Sequence, residues 1–206
     1  MSAGYVVLEG PDGCGKSSQA RALCEWLREQ GQKVLHVREP GSTPVGEALR
    51  QLLLARATGE LRPVTEALLF MAARAELVTA VIAPALDAGT MVVAERCYLS
   101  TVVYQGLAAS PGLDVDWLFD LTRRVHGRHL PDAIFVLDVP EATARARRRS
   151  RADDRFEARP AAFHERVRQG FSAAAALEVR AHVIDAGPPF DRVQAELRTL
   201  CARVLG

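Results

Sequence analysis

The stretch Gly10-Pro11-Asp12-Gly13-Cys14-Gly15-Lys16-Ser17 fits the pattern G-x-x-x-x-G-K-[S/T], with Ser18 directly after it. Glycines let consecutive backbone N–H groups converge on phosphate oxygens. A helix beginning there adds its positive end, the lysine reaches the outer phosphates, and the following hydroxyl suits Mg²⁺. The pattern assigns Gly10, Asp12, Gly13, Cys14, Gly15, Lys16, Ser17 and Ser18 to binding a nucleoside triphosphate, with Lys16 acting on the transferring phosphoryl and Ser17 on the metal.

Phosphoryl transfer also needs an acid beside the metal, and two acids end apolar runs: Glu95 after Met91–Ala94 and Asp138 after Ala133–Leu137. We favour Glu95, because Arg96 follows it and puts a phosphate-binding guanidinium next to the metal-side carboxylate. In Arg38-Glu39-Pro40-Gly41, proline and glycine force a turn that holds Arg38 and Glu39 at the mouth of a site. Phe70 and Arg74 are one helical turn apart, an aromatic face for a planar base beside a guanidinium that needs an anionic or carbonyl partner. Ser100 with Tyr104 and Thr101 with Gln105 repeat that spacing just past Arg96, adding hydroxyl and amide groups.

Arg145, Arg147, Arg148, Arg149, Arg151 and Arg155 surround Asp153 and Asp154. A solvated helix face, a nucleic-acid patch and a lid whose arginines close over phosphates all have this composition; downstream of the glycine-rich loop we favour the lid, at about residues 145–157. His126 and His129 form an H-x-x-H pair without the acidic helix context of a metal site, and a surface position with no role is expected.

These groups must be positioned by elements. Short apolar runs at Tyr5–Glu9, Lys33–Val37, Met91–Ala94, Ala133–Asp138 and His182–Asp185 read as buried parallel strands, with helical patterns between them. The fold class expected is α/β: a P-loop NTPase-type five-stranded parallel sheet flanked by helices, a single domain over residues 1–206, with chemistry just after the strands. The region from Val64 to Leu86 is apolar on almost every face, so it is expected to be buried all round or to pack against a second subunit as a homodimer.

The 26 basic and 25 acidic side chains nearly cancel, which argues against a nucleic-acid or membrane-surface partner. The four cysteines are scattered without a Cys-x-x-Cys pair, so neither zinc nor a disulfide framework is expected. The N-terminal apolar run is too short for a signal segment, and no uninterrupted apolar run approaches the length of a membrane span. Cytoplasmic placement is the expectation.

Taken together, YVVLEGPDGCGKSSQA, VREPGSTPVGEALRQLLL, EALLFMAARAELV, AERCYLSTVVYQG, RHLPDAIFVLDV and DDRFE resemble bacterial thymidylate kinases in order and spacing, over nearly the whole chain. The resemblance implies transfer of the γ-phosphoryl of Mg·ATP to dTMP, giving dTDP and ADP. It implies that Lys16 and Ser17 hold ATP and Mg²⁺, that Glu95 stands in for an aspartate of the family, and that Arg38, Arg74 and Arg96 position the acceptor with Glu39 beside them. It further implies that Phe70 stacks on thymine while Ser100, Thr101, Tyr104 and Gln105 surround base and sugar. Gly13 stands where other members carry a catalytic arginine, and the lid supplies that charge instead, through Arg149 and Arg155. Cys97, Val37, Ser42 and Leu107-Ala108-Ala109-Ser110 also depart from the family pattern. Two other readings stay open: a kinase for another pyrimidine monophosphate, and a non-enzymatic nucleotide-binding regulator.

Overall fold

The structure is a computed structural model, and it describes residues 4–148 and 154–206. Five parallel strands, β1 (Tyr5–Glu9), β2 (Val34–Arg38), β3 (Met91–Glu95), β4 (Ala133–Asp138) and β5 (Ala181–Asp185), form one sheet in the order β2-β3-β1-β4-β5. The expected strands are all present, with ends moved by one residue or less. β1 is central and completely buried, because Tyr5 and Val7 feed the core on one face while Val6 and Leu8 feed the core on the other. Register brings Leu8 opposite Glu95 and Glu9 opposite Val136, so the C-terminal ends of β1, β3 and β4 lie side by side.

Among the described residues, helices cover both faces. On one side are α1 (Lys16–Glu29) and α9 (Phe190–Leu205), whose Leu23, Leu27, Val193 and Leu197 are buried against Leu8, Val93 and Phe135. The other side carries α3 (Pro63–Leu77), α4 (Ala83–Asp87), α5 (Tyr98–Thr101), α6 (Val115–His126) and α8 (Ala161–Leu177). α2 (Pro44–Leu54) packs on α3, and α7 (Glu141–Arg148) leads into the arginine cluster. Local sequence sets the helix starts: Thr43 Oγ1 accepts the Gly46 N–H at 2.9 Å ahead of Pro44, and Asp114 caps α6 by accepting the Trp117 N–H at 2.7 Å.

The apolar region narrows one expectation to a single one of its two alternatives. α3 continues through wider turns at Val78–Ile82 into α4, and this helical run from Pro63 to Asp87 is long and apolar enough to cross a membrane. It is not buried all round within the chain. Ala67, Met71, Ala73, Arg74 and Leu77 face the core, while Val64 and Leu68 are exposed, as are Val45 and Leu52 on the adjoining α2. The histidine expectation is corrected. His126 is buried, its Nδ1 3.1 Å from the Thr122 carbonyl and its Nε2 3.4 Å from Cys97 Sγ, because it ends α6 facing inward; its neighbour His129 lies beside Asp87.

Candidate active site

The glycine-rich loop leaves β1 and enters α1 with Gly15 as the capping residue at φ 103°. Gly13 has φ 86°, and a Cβ on it would lie 2.4 Å from the Ala144 carbonyl of α7, so neither its backbone nor its surroundings admit a side chain. Lys16 Nζ donates to the carbonyls of Gly10 at 2.9 Å and Pro11 at 2.8 Å, folding the ammonium over the loop. Ser17 Oγ donates to Glu95 Oε2 at the end of β3, and Glu95 Oε1 lies 3.0 Å from His36 Nε2 on β2. Burial alone raises the Glu95 carboxyl, but the neighbouring His36 and Ser17 outweigh it and hold the group below the usual carboxylate range. Asp138, the competing acid, is taken by Arg168 in a two-pronged pair at 2.9 and 3.0 Å and lines neither cavity described below.

A cavity over the loop is lined by Asp12, Gly13, Gly15, Lys16, Ser17, Ser18, Arg21, Arg38, Glu39, Arg50, Glu95, Arg96 and Arg147. Gly10 and Cys14 support it from beneath: the Gly10 carbonyl is bound by Lys16 and Arg96, and the Cys14 side chain is buried in the core. A second cleft lies beyond it, with Phe70, Arg74, Ser100, Thr101, Tyr104, Gln105 and Phe156 in its wall. Asp12, Glu39, Arg50 and Arg96 line both, so the two spaces meet at two carboxylates and two guanidiniums.

That junction is held by paired charge, part-buried at Arg96 with Asp12 and fully buried at Arg74 with Glu39. Arg96 occupies the left-handed region at φ 70°, uncommon for a residue with a side chain, and its guanidinium donates to Asp12 Oδ1 at 2.5 Å, Ser100 Oγ at 2.8 Å and the Gly10 carbonyl at 3.2 Å. Tyr104 O–H donates to the other Asp12 oxygen at 3.2 Å. Burial would raise the Asp12 carboxyl, yet Arg96 and Lys16 take it far below the carboxylate range. Arg74, almost fully buried, donates to Glu39 Oε2 at 2.6 Å and to Thr101 Oγ1 at 3.2 Å. Burial pushes the Glu39 carboxyl up, with Arg74 pulling against it.

Sequence reasoning missed Glu9 and Arg50, and within the arginine cluster it singled out Arg149 and Arg155 rather than Arg147. Glu9 ends β1 and accepts from Ser100 N–H, Ser100 Oγ and Cys97 N–H at 2.6–2.9 Å, which fixes the turn that presents Arg96. Its signal was an acid ending a buried strand, the same signal as Glu95. Arg50, bonded to the Pro40 carbonyl at 2.9 Å, sits on α2 with nothing in its spacing to single it out. Arg147 on α7 lies 3.5 Å from the Cys14 carbonyl, where the arginine cluster meets the loop.

Other expected residues are placed elsewhere. Arg38 is exposed, paired with Glu47 at 3.1 Å, and lines only the loop cavity. Arg149 lies outside the described residues. Arg155 is turned away from both cavities: its guanidinium is buried against Glu66 Oε1 at 2.6 Å and the Leu53 carbonyl at 2.9 Å.

A parallel sheet in this order, a phosphate-cradling loop after its central strand, and a second cleft opening onto that loop define a P-loop kinase of small nucleotides. A model of the thymidylate kinase family matches residues 8–197, and the chain belongs to that family. It is similar to the thymidylate kinase of Thermomicrobium roseum, with 48% identity over 189 residues covering 90% of this chain and 88% of the relative. It is similar also to that of Clavibacter sepedonicus, with 44% identity over 202 residues covering 96% and 94%. The protein is therefore an enzyme, a phosphotransferase acting on a pyrimidine nucleotide, and the regulator reading falls away. Membership carries a dependence on ATP and Mg²⁺.

Proposed function

We propose that the enzyme transfers the γ-phosphoryl of ATP to dTMP, giving dTDP and ADP, as a single domain in the cytoplasm. The observation that carries this reading is the junction: two cavities, one over the glycine-rich loop and one with an aromatic wall, meet at Asp12, Glu39, Arg50 and Arg96. ATP lies over Gly13–Ser18 with its γ-phosphate at that junction. dTMP lies in the second cleft, its thymine against Phe70 and edged by Arg74 and Gln105, its sugar and phosphate toward Tyr104, Ser100, Arg50 and Arg96.

An oxygen of the dTMP phosphate attacks the γ-phosphorus while the bond from the γ-phosphorus to the β,γ-bridging oxygen breaks, and that oxygen leaves with ADP. The attacking oxygen is already ionised, so no general base is needed. The protein's work is alignment and neutralisation of charge. Lys16 unfolds from the Gly10 and Pro11 carbonyls onto the outer phosphates, and Arg96 orients the acceptor phosphate from its Asp12 and Ser100 anchors. Ser17 Oγ and a Glu95 oxygen in direct contact are hard oxygen donors of the kind Mg²⁺ takes, and they would hold it with water and phosphate oxygens completing its shell. Bound there, the ion supplies charge neutralisation at the phosphates.

Arg147 brings the lid's charge to the loop cavity, and Arg149, two residues further along the chain, is assigned to the same task in transfer. Arg155 joins them only on leaving Glu66; in the conformation seen, it anchors the lid's far end. The exposed Val45, Leu52, Val64 and Leu68 of α2 and α3 form the surface through which a homodimer assembles. The near balance of charge leaves no field for nucleic acid, and the apolar run Pro63–Asp87 serves core and subunit contact, not a membrane.

The test is ADP release from Mg·ATP with dTMP, dUMP, dCMP, dGMP or no acceptor. Strong stimulation by dTMP is expected, and a preference for it below about tenfold over every other monophosphate counts against a dedicated thymidylate enzyme.

A further inference from the structure

Glu66 lies on α3 one helical turn before Phe70 and two before Arg74, on the same stripe, yet it does not line the acceptor cleft. It is buried, and its two oxygens are divided between an amide on one side and two guanidiniums on the other. Oε2 accepts from Gln105 Nε2 at 2.8 Å. Oε1 accepts from Arg155 Nη1 at 2.6 Å and lies 3.5 Å from Arg159 Nη2.

A carboxylate paired with arginine only accepts hydrogen bonds, so Gln105 must turn its NH₂ end to Glu66. The other end of the amide, Gln105 Oε1, is then left buried without a hydrogen-bond partner among the described residues. A buried carbonyl oxygen in that state is destabilising until a donor reaches it, and Gln105 lines the cleft beside Thr101 and Phe70.

We propose that Glu66 is a positioning residue that holds the Gln105 amide with its oxygen toward the acceptor, so that the site selects imide bases over cytosine. The ring N3 of thymine or uracil carries a hydrogen that this oxygen accepts, whereas N3 of cytosine carries a lone pair that meets it oxygen to nitrogen. Glu66 touches no substrate and acts through Gln105. The proposal rests on the reading of this cleft as a nucleotide acceptor site. It also explains why the carboxylate is shared: Arg155 and Arg159 flank Phe156, which lines the cleft and lies 6.1 Å from the Phe70 ring. Base selection and seating of the 154–159 segment therefore depend on the same buried group.

The experiment measures kcat/KM for dTMP, dUMP and dCMP on the full-length enzyme, its Glu66→Gln and Glu66→Asp variants, and the double variant Glu66→Gln/Gln105→Glu, with thermal melting to establish folding. Wild type is expected to prefer both imide acceptors over dCMP by about a hundredfold or more. In Glu66→Gln the new amide can donate to the Gln105 oxygen and let it turn over, so the preference falls at least about tenfold, through KM for dTMP and dUMP. Exchanging the two side chains places a carboxylate at position 105 that accepts from the amide at 66 and keeps an oxygen toward the cleft, so the double variant recovers the preference. Glu66→Asp keeps a charge for Arg155 but withdraws the carboxylate from Gln105, and it is decisive if Glu66→Gln fails to fold: the preference falls there too.

An unchanged ratio in the folded single variants overturns the proposal, as does an equal loss toward all three acceptors without recovery in the double variant. A wild-type enzyme indifferent between imide acceptors and dCMP instead overturns the acceptor reading itself, and the role of Glu66 with it.

Discussion

The donor and acceptor halves of this site are built by different means. The donor half is built around one contiguous stretch, Gly10 to Ser18, in which backbone N–H groups and positive-φ glycines make the phosphate cradle, with Glu95, Arg96 and Arg147 among the side chains brought to it from afar. The acceptor half has no such stretch. It is assembled from side chains on α2, α3, the segment after β3 and the residues around Phe156, locked by buried pairs such as Arg74 with Glu39 and Arg155 with Glu66. Backbone-made sites tolerate change in the residues around them, whereas a site made of paired side chains moves when any one partner is altered. Substitutions in the donor half should therefore slow transfer to every acceptor alike, and those in the acceptor half should change which acceptor is used.

The largest effect is expected at Lys16. Lys16→Ala should lower kcat by about a thousandfold or more for all acceptors, and an active variant would remove the glycine-rich loop from the mechanism. Next come the two lid arginines, which split the comparison. Arg149→Ala should reduce kcat by roughly ten- to a thousandfold with ATP affinity nearly kept. Arg155→Ala leaves Glu66 short of its closest partner, so it should also lower the melting temperature; a kcat loss without any loss of stability would show that Arg155 spends the cycle over the phosphates and not on Glu66.

Phe70→Ala should raise KM for dTMP by about ten- to a hundredfold while the KM for ATP stays put, because a stacked base and its aromatic partner are worth about 1–3 kcal/mol. Glu95→Gln should raise the Mg²⁺ concentration needed for half-maximal rate, by about tenfold, where Asp138→Asn should not; the reverse result moves the metal to the end of β4.

The smallest effect concerns stability. Burial holds the His126 imidazole down at about 3, against an ordinary value of 6.5. The unfolded chain binds a proton there that the folded chain refuses, so stability is full above about pH 6.5 and declines as the pH falls from there toward 3, by about 1.4 kcal/mol per pH unit. Denaturant titrations at pH 7.5 and 5.5 should show this loss, and His126→Gln should flatten it.

The legibility of the chain follows the same division. All five strands were readable because a buried parallel strand is a short apolar run whatever surrounds it, and the acid-arginine pair Glu95-Arg96 was readable because it ends one. His126 was misplaced because a histidine's burial depends on which face of α6 meets the sheet, and here that face meets Cys97. Glu9 and Glu66 went unnoticed for the same reason: a carboxylate on a strand or helix is unexceptional until the fold shows who donates to it.

By itself the sequence determined the sheet, the phosphate loop, the stripe of Phe70 and Arg74 on one helix face, and the family. These are local properties, set by periodicity, by glycine's access to positive φ and by spacing along a single element. Only the tertiary structure decided that Glu95 and not Asp138 faces Ser17, that Arg50 joins Arg96 between the two cavities, and that Glu66 holds Gln105. Those depend on which strand ends lie together and which charges find partners out of water. Residues 30 to 78 positions apart in the chain settle that between them, and no local pattern records it.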